Sequence, residues 1–255
     1  MSEKKDITIC LHCGNSWDVV KNQMSLLKPL EEKYNIFWNL RIERNPGSYD
    51  SYSEMVNEAI ATSPTETMVF LNDRVIPKPA EVYHMLDLLD QGYAAASKWS
   101  VAYIAYTKEL IREIGWWDER YIGGGFEDDD FVLKIRLHNL AYYESEEGEY
   151  DQSWKSPLRP DGGDKCAKSE PWFRQKWIYS PNEVTRVIPD EHYEKYAGSL
   201  GQRRDDIKSG WKDWSHSQIG IMFAERMITH RGGESRTHHF RYPNGYEFRT
   251  VKSSV

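Results

Sequence analysis

The sequence predicts an α/β fold in which a mostly parallel, twisted sheet is flanked by helices and followed by an irregular C-terminal extension. Two observations predict this class. Over the first half of the chain, short runs with the two-residue period of strands alternate with segments that have the helical period. Beyond about residue 150 this periodicity gives way to a stretch rich in Trp, Pro, Gly and charged residues. We therefore expect one globular unit, with residues 1–150 as its core and residues 151–255 as the extension.

The first strand and helix candidates lie close to the N-terminus. Residues 6–11 form a short β-rich run, and Asn15 or Ser16 can cap the helix that follows. That helix is indicated by four apolar residues at helical spacing, Trp17, Val20, Met24 and Leu27. From residue 36 to residue 42 every second position is apolar, which is the period of a second strand running to Glu43.

A helix and a third strand are predicted after a break at residues 45–50. Ser51 and Glu54 form a capping box, in which the side chain at the helix start and the one three residues later bond to each other's backbone N–H groups. This box indicates a helix over residues 53–61. Residues 67–71 then form a short apolar run, which is typical of a buried strand.

A further helix and strand complete the order βαβαβαβ. The helix begins around Pro79 and carries four apolar residues on one face, Val82, Met85, Leu86 and Leu89. An extended run over residues 93–97 follows it. Because helical crossovers join parallel strands, we expect a mostly parallel sheet with helices on both faces. Ligands of such sheets bind beyond the carboxyl ends of the strands, where residues 72–74 are expected to lie.

The cysteine content and the hydropathy indicate a soluble cytoplasmic protein. Three cysteines are too few for a disulfide framework. Cys10 and Cys13 form a CxxC, but residues three apart on a strand face opposite sides, so we interpret both as packing residues. No apolar run approaches the roughly 18 residues that a membrane span requires, and the charged N-terminus does not resemble a cleaved targeting signal.

The strongest local signal is the segment of residues 115–135, in which four consecutive carboxylates, Glu127 to Asp130, follow three glycines. Four adjacent negative charges repel one another, and a helix N-terminus, a bound cation or a functional requirement offsets this cost. The structural alternative is an acidic first turn of a helix whose apolar face holds Phe131, Leu133 and Ile135. A helix N-terminus accounts well for one or two acidic residues. It accounts less well for four consecutive acids that follow three glycines, so we favour a functional role.

This segment resembles the acidic motif of inverting glycosyltransferases with the GT-A fold, a Rossmann-like α/β fold. In that motif a loop rich in Gly and Trp runs into Glu-Asp-x-Asp and then into an apolar and basic helix, and the form here is similar to the GGxEDDD of galactosyltransferases. The matching residues are Gly123, Gly124, Gly125, Glu127, Asp128, Asp129, Asp130 and Lys134. Residues 115–119, upstream, are similar to the turn that precedes this motif in family-2, rhamnosyltransferase-like enzymes.

The resemblance implies roles for the residues in and before the motif. Asp128, directly after the Glu, is implied as the base that deprotonates the acceptor hydroxyl. Glu127 and Asp129 are implied as acceptor-binding residues, and Trp116 and Trp117 could form an apolar platform for a sugar face or belong to the core.

A second resemblance lies at residues 69–77, which are similar to the strand-end segment that carries the DxD motif of this fold. That motif holds a divalent cation, usually Mn²⁺ or Mg²⁺, against the diphosphate of the donor. Here the triplet is Asn72, Asp73 and Arg74, so a cation replaces the last carboxylate. Asp73 could still bind a metal, or the Arg74 guanidinium could itself contact the diphosphate.

A third resemblance lies at residues 227–236, which are similar to the His-x-Gly-Gly-x-Ser segment that closes the donor site in many of these transferases. It implies His230 as a ligand of the metal or diphosphate. It also places three residues near the phosphates, Arg231, Ser235 and Arg236.

The N-terminal half supplies the nucleotide-binding positions of the resemblance. Glu43, at the end of the second strand candidate, corresponds to the acidic residue that contacts the base, and His12 and Asn15 follow the first strand. The resemblance covers residues 6–140 in order, together with residues 228–236. It makes residues 1–150 the nucleotide-sugar-binding core and residues 151–255 an acceptor-side extension that completes the donor site.

The leading hypothesis is therefore an inverting glycosyltransferase that moves a sugar from a nucleoside-diphosphate sugar to a hydroxyl of a glycan or other acceptor. Two alternatives remain. Residues 1–151 carry a net charge of −12 and residues 152–255 one of +5, so the basic part could contact nucleic acid, with a hydroxymethylated base as the acceptor. The incomplete DxD instead suggests a non-catalytic nucleotide-sugar-binding protein on a degenerate transferase scaffold.

Overall fold

A computed structural model of the chain describes thirteen segments: residues 4–13, 17–42, 51–98, 100–121, 125–145, 149–150, 166–180, 183–186, 188, 193–196, 199–200, 236–240 and 249–252. The strands are β1 (Lys5–Cys13), β2 (Tyr34–Ile42), β3 (Thr67–Asn72), β4 (Val75–Ile76), β5 (Ala95–Lys98), β6 (Tyr103–Thr107), β7 (Tyr142–Ser145), β8 (Glu149–Tyr150), β9 (Trp177–Ser180), β10 (Glu183–Arg186), β11 (Arg236–Phe240) and β12 (Arg249–Lys252). The α-helices are α1 (Trp17–Leu27), α2 (Tyr52–Thr62), α3 (Pro79–Asp90), α4 (Lys108–Ile114), α5 (Glu127–Leu137) and α6 (Cys166–Lys176).

The main sheet has eight strands in the order β12-β11-β7-β5-β6-β3-β1-β2. Strand β1 pairs in parallel with both β2 and β3, and β5 pairs in parallel with β7. Strand β6 lies between β3 and β5 and is antiparallel to both, so β1, β2, β3, β5 and β7 all run in one direction. The α/β fold with a mostly parallel sheet flanked by helices is therefore confirmed.

Three features of the sequence account for the helix starts and for the covering of the sheet. The Ser51 Oγ accepts the Glu54 N–H at 3.1 Å and caps α2, as predicted, and Pro79 occupies the first turn of α3. Alternate residues of β1 enter different cores, since Ile9 packs with α1 and α3 residues and Cys10 with α2, α4 and α5 residues. The sheet thus has helices on both faces.

The cysteine prediction is confirmed for Cys10, which is buried, and burial raises the pKa of its thiol to about 12. The side chain of Cys13 lies outside the described residues. None of the described helices combines the length and the apolar composition that a membrane span requires.

The C-terminal extension contributes side chains to the core. Tyr196 and Leu200 pack into the cluster that contains Trp117 and Phe131, and β11 pairs with β7 at the sheet edge. Within the extension, Glu194–Tyr196 form a short 3-10 helix.

Candidate active site

Residues 72–74, predicted to bind the donor, and the acidic motif, Glu127 to Asp130, both lie near Tyr52 at the carboxyl edge of the sheet. His12 and Asn72 are register partners near the ends of β1 and β3, and Tyr52 begins α2 beside them, with its ring 5.5 Å from the His12 ring. Burial raises the pKa of the Tyr52 hydroxyl, and the negative charges of Glu127, Asp128 and Asp73 raise it further. Tyr52 is therefore the common neighbour of the two predicted motifs.

The four acids of the motif occupy the first turn of α5, which begins at Glu127. Their environments differ along that turn. Glu127 and Asp128 are partly exposed, whereas Asp129 and Asp130 are buried. The Asp128 Oδ1 accepts the Asp129 backbone N–H at 3.0 Å. The helix N-terminus offsets part of the repulsion, since its backbone dipoles favour negative charge.

Asp130 forms an ion pair with a buried lysine that the sequence patterns did not identify. The Asp130 Oδ1 lies 2.6 Å from the Lys176 Nζ and accepts hydrogen bonds from the Trp177 indole N–H at 2.9 Å and from the Tyr121 hydroxyl at 3.1 Å. Two of these three donors come from the extension, at the end of α6 and the start of β9. The fourth acid of the motif is thus a structural residue.

Asp118, which precedes the glycine segment, shares the same lysine. Its Oδ2 accepts a hydrogen bond from the Lys176 Nζ at 2.7 Å, and the Arg120 guanidinium binds both oxygens at 2.7 and 2.8 Å. Burial alone would raise the pKa of this carboxyl group, but the hydrogen bonds and charges of Arg120 and Lys176 hold the pKa well below its usual range. Asp118 is therefore ionised at neutral pH.

The chain enters α5 through a strained backbone. Gly125 has φ +94°, and Phe126, the N-cap residue, has φ +66° and ψ −4°. A left-handed conformation costs a non-glycine residue about 1–2 kcal/mol. The Phe126 ring stacks on Phe173 of α6, with 5.0 Å between ring centroids. Packing against α6 compensates for the strain and fixes the direction in which α5 starts.

The structure corrects the prediction of an apolar acceptor platform at Trp116 and Trp117. Their exposed fractions are 2 % and 1 %, and both belong to the core beneath the sheet. The Trp117 ring stacks on Phe131 with 4.1 Å between centroids, while the Trp116 carbonyl accepts a hydrogen bond from the Lys134 Nζ at 2.5 Å. Neither indole is accessible to an acceptor, because Trp117 packs on Phe131 of α5 and Trp116 on Tyr196 of the extension.

Residues 72–74 form the turn between β3 and β4. The Asn72 Oδ1 accepts the Arg74 backbone N–H at 3.0 Å, so this side chain closes the turn. The buried Gln23 amide of α1 donates to the backbone carbonyls of Asn72 and Val75 at 2.8 and 2.9 Å. Asp73 and Arg74 are partly exposed at the tip. The turn therefore presents one carboxylate and one guanidinium at the edge where a ligand is expected.

Only part of the predicted metal site, Asp73 and His230, lies within the described residues. Among them, no group of three or more His, Cys, Asp or Glu side chains is arranged to hold a metal ion. Asp73 offers carboxylate oxygens, which suit Mg²⁺ and Mn²⁺. Its predicted co-ligand, His230, lies outside the described residues, as do Asn15, Glu43, Arg231 and Ser235. Arg236 is the first residue of β11, and its side chain is not described.

His12 is a buried imidazole at the end of β1. Neither ring nitrogen has a hydrogen-bond partner among the described residues, and the ring packs edge-on against Tyr52 and Phe70. Burial, together with the positive charge of Arg41, lowers the pKa of His12 from 6.5 to about 3. The imidazole is therefore neutral in the folded protein at physiological pH.

We expect His12 to make the folded state less stable in mild acid. Below pH 6.5 the unfolded chain binds a proton at this position and the folded chain does not, so the free energy of unfolding falls as the pH decreases towards 3. The loss is about 1.4 kcal/mol per pH unit. Urea titrations between pH 7 and about pH 4.5 should show that the free energy of unfolding depends less on pH in His12→Phe than in the wild type. A slope unchanged in His12→Phe would contradict the assignment.

Comparisons with known proteins give a likeness in fold. No family model and no curated protein matches the sequence. Among solved structures, the chain is similar to a mutant β-1,4-galactosyltransferase 7 from Drosophila in complex with manganese, UDP-Gal and xylobiose. The identity is 11 % and the TM-score 0.48, over 74 % of this chain and 88 % of that chain. The assignment of the α/β fold rests on the strand order and register described above.

Three residues at or beside the site were not identified from the sequence. Tyr52 lies within the predicted cap of α2, where an aromatic residue carries no signal. Asp118 lies in a segment interpreted through its tryptophans, and Lys176 lies where the sequence shows no clear periodicity. Charge complementarity between an acidic run and a distant lysine could have suggested a pair, but it does not select one lysine among many.

Proposed function

We propose that this chain is an inverting glycosyltransferase of the GT-A type, which moves a sugar from a nucleoside-diphosphate sugar to a hydroxyl of a carbohydrate or other acceptor. One observation carries the proposal. Asp128 is partly exposed in the first turn of α5 and acts electrostatically on Tyr52 together with Asp73, whereas Asp130 forms a buried ion pair with Lys176. A carboxylate that is partly exposed in the first turn of a helix, at the edge of the sheet where ligands are expected, is suited to act as a general base.

The proposed reaction is a single displacement. The Asp128 carboxylate takes the proton of the acceptor hydroxyl while the hydroxyl oxygen attacks the anomeric carbon of the donor sugar. The bond from that carbon to the diphosphate breaks, and the diphosphate leaves with the electron pair. Attack on the face opposite the leaving group inverts the configuration. Glu127 is partly exposed beside Asp128 and is proposed to position the acceptor. Asp129, from the same turn, is buried, and its burial does not support the acceptor contact that the resemblance implies.

The donor side of the proposal uses the turn after β3 and the C-terminal extension. We assign diphosphate contacts to Arg74 and to three residues of the extension, Arg231, Ser235 and Arg236. A divalent cation would be held by Asp73 and His230, and it would supply positive charge that stabilises the leaving diphosphate. On this view the extension completes the donor site within the same globular unit as residues 1–150.

The cation assignment predicts that transfer depends on a metal. Excess EDTA should reduce turnover by more than about tenfold, because the charge of the leaving group is then poorly neutralised, and added Mn²⁺ should restore it. Steady-state rates with the purified chain measure both effects, and Asp73→Asn should weaken the response to Mn²⁺. If EDTA leaves the rate unchanged and Arg74→Met abolishes it, Arg74 takes the role assigned to the metal.

A panel of nucleotide sugars and acceptors tests the function as a whole. The wild type should release nucleoside diphosphate only when a donor and an acceptor are both present at levels that support transfer. Calorimetry that shows donor binding without turnover, for every class of acceptor, would instead support the non-catalytic alternative. The basic part that motivated a nucleic-acid acceptor, residues 152–255, is described only in short segments, and the described residues give that variant no support.

A further inference from the structure

Lys176 joins the two sides of the glycine segment that leads into α5. Its Nζ lies at hydrogen-bond distance from Asp118, before that segment, and from Asp130, after it. The lysine side chain is 0 % exposed, and both carboxylate side chains are buried with it. Between the two acids, the Tyr121 hydroxyl also bonds to Asp130. One ammonium group therefore holds Asp118 and Asp130 close to each other.

Two neighbouring cations contact the same carboxylates. Arg120 is partly exposed and binds both oxygens of Asp118. The Lys134 Nζ lies 3.9 Å from the Asp130 Oδ2, and it donates to the Trp116 carbonyl. Lys176 differs from the partly exposed Arg120 in being completely buried between Asp118 and Asp130.

Helix α6, which ends at Lys176, supports α5 through a second contact. Phe173, three residues before Lys176, stacks on Phe126, the residue with a left-handed backbone at the start of α5. Residues of α6 therefore fix both the strained N-cap and the fourth acid of the first turn. Asp128 lies between these two fixed points, so its direction depends on α6.

We propose that Lys176 is a positioning residue for glycosyl transfer, which holds the first turn of α5 so that the Asp128 carboxylate faces the acceptor hydroxyl. This inference rests on the proposed function. Replacing a buried ion pair by apolar residues of similar volume is often neutral or stabilising, so we assign the Lys176 pairs a role in geometry rather than in net stability. Geometry is what a general base requires, since a displacement of about 1 Å can reduce a rate by about 100-fold.

The test compares Lys176→Met with Lys195→Met. Lys195 also bridges two carboxylates, Glu54 and Glu119, each at 2.8 Å, but its side chain is 46 % exposed. For Lys176→Met we expect kcat to fall by about 10- to 100-fold at an almost unchanged KM for the donor. Lys195→Met should stay within about twofold of the wild type, as surface substitutions usually do.

Two further measurements separate positioning from loss of folding. Rates are divided by the fraction of protein that binds donor in calorimetry, so that unfolded molecules do not lower kcat. Hydrogen exchange of the amides of residues 125–130 should be at least about tenfold faster in Lys176→Met than in Lys195→Met.

Two further variants extend the test. Lys176→Arg should recover part of the transfer rate. If Lys176→Met does not fold, Trp177→Phe removes one hydrogen bond to Asp130 and should show the same effects at smaller size.

The outcomes distinguish this inference from the proposed function. If the wild type transfers sugar and the corrected kcat of Lys176→Met equals that of Lys195→Met, the positioning role is wrong and the function stands. If the wild type transfers nothing, the function is wrong, and the exchange rates alone decide whether Lys176 fixes the first turn of α5. Equal exchange in the two variants would then overturn the inference as well.

Discussion

Replacing Asp128 with asparagine is expected to reduce kcat for transfer by about 10²- to 10⁴-fold, the usual contribution of a general base. The amide cannot take the proton of the acceptor hydroxyl. It keeps the size of the side chain, and its oxygen can still accept the Asp129 N–H at the start of α5. Because Asp128 is partly exposed, we expect little change in the free energy of unfolding and in donor affinity.

Two companion variants make this result specific. Glu127→Gln, in the same turn, should raise the KM for the acceptor more than it lowers kcat. Asp130→Asn should lower the melting temperature and kcat together, because it weakens the buried contact by which Lys176 holds the first turn of α5. Initial rates and thermal unfolding measured on all three variants separate the roles. If Asp128→Asn retained half of the wild-type kcat, Asp128 could not be the base.

Replacing Trp117 with alanine should cost about 3–5 kcal/mol in the free energy of unfolding, the usual cost of emptying a large core position. The indole is almost completely buried and stacks on Phe131 of α5. Its backbone is also tied to α2, because Asn57 accepts the Trp117 N–H at 3.0 Å and donates to its carbonyl at 2.9 Å. A cavity here would loosen the contact between α2 and α5, and urea titration measures the loss.

Trp17→Ala provides the matched control, since that side chain is 47 % exposed at the start of α1. We expect its effect on the free energy of unfolding to be below about 1 kcal/mol. A Trp117→Ala variant that kept wild-type stability and lost affinity for the acceptor would restore the platform interpretation, and the core role assigned to the indole would be wrong.

The sequence predicted those parts of the fold that depend on local patterns. The capping box at Ser51 and Glu54 located α2, and the apolar spacing after Pro79 located α3. Strand β6 was not predicted, because its five residues lie in a run whose buried positions do not alternate with exposed ones. Its antiparallel insertion between β3 and β5 is a property of tertiary packing.

The candidate site shows the same division between local and distant information. The acidic run and the turn at residues 72–74 were found because they are contiguous in the sequence. The different environments of Asp128 and Asp130 could not be predicted, since they depend on Lys176, which is distant in the sequence. The burial of Trp117 likewise depends on how α2 and α5 pack, which apolar periodicity does not determine.

The most direct test of the account is the anomeric configuration of the first product, determined by proton NMR. If one base activates the acceptor and the displacement takes place in one step, the configuration at the anomeric carbon must be inverted. A donor with an axial anomeric bond should therefore give a product with an equatorial one, and Asp128→Asn should form it far more slowly. Retention of configuration in a reaction that needs this site would contradict the mechanism.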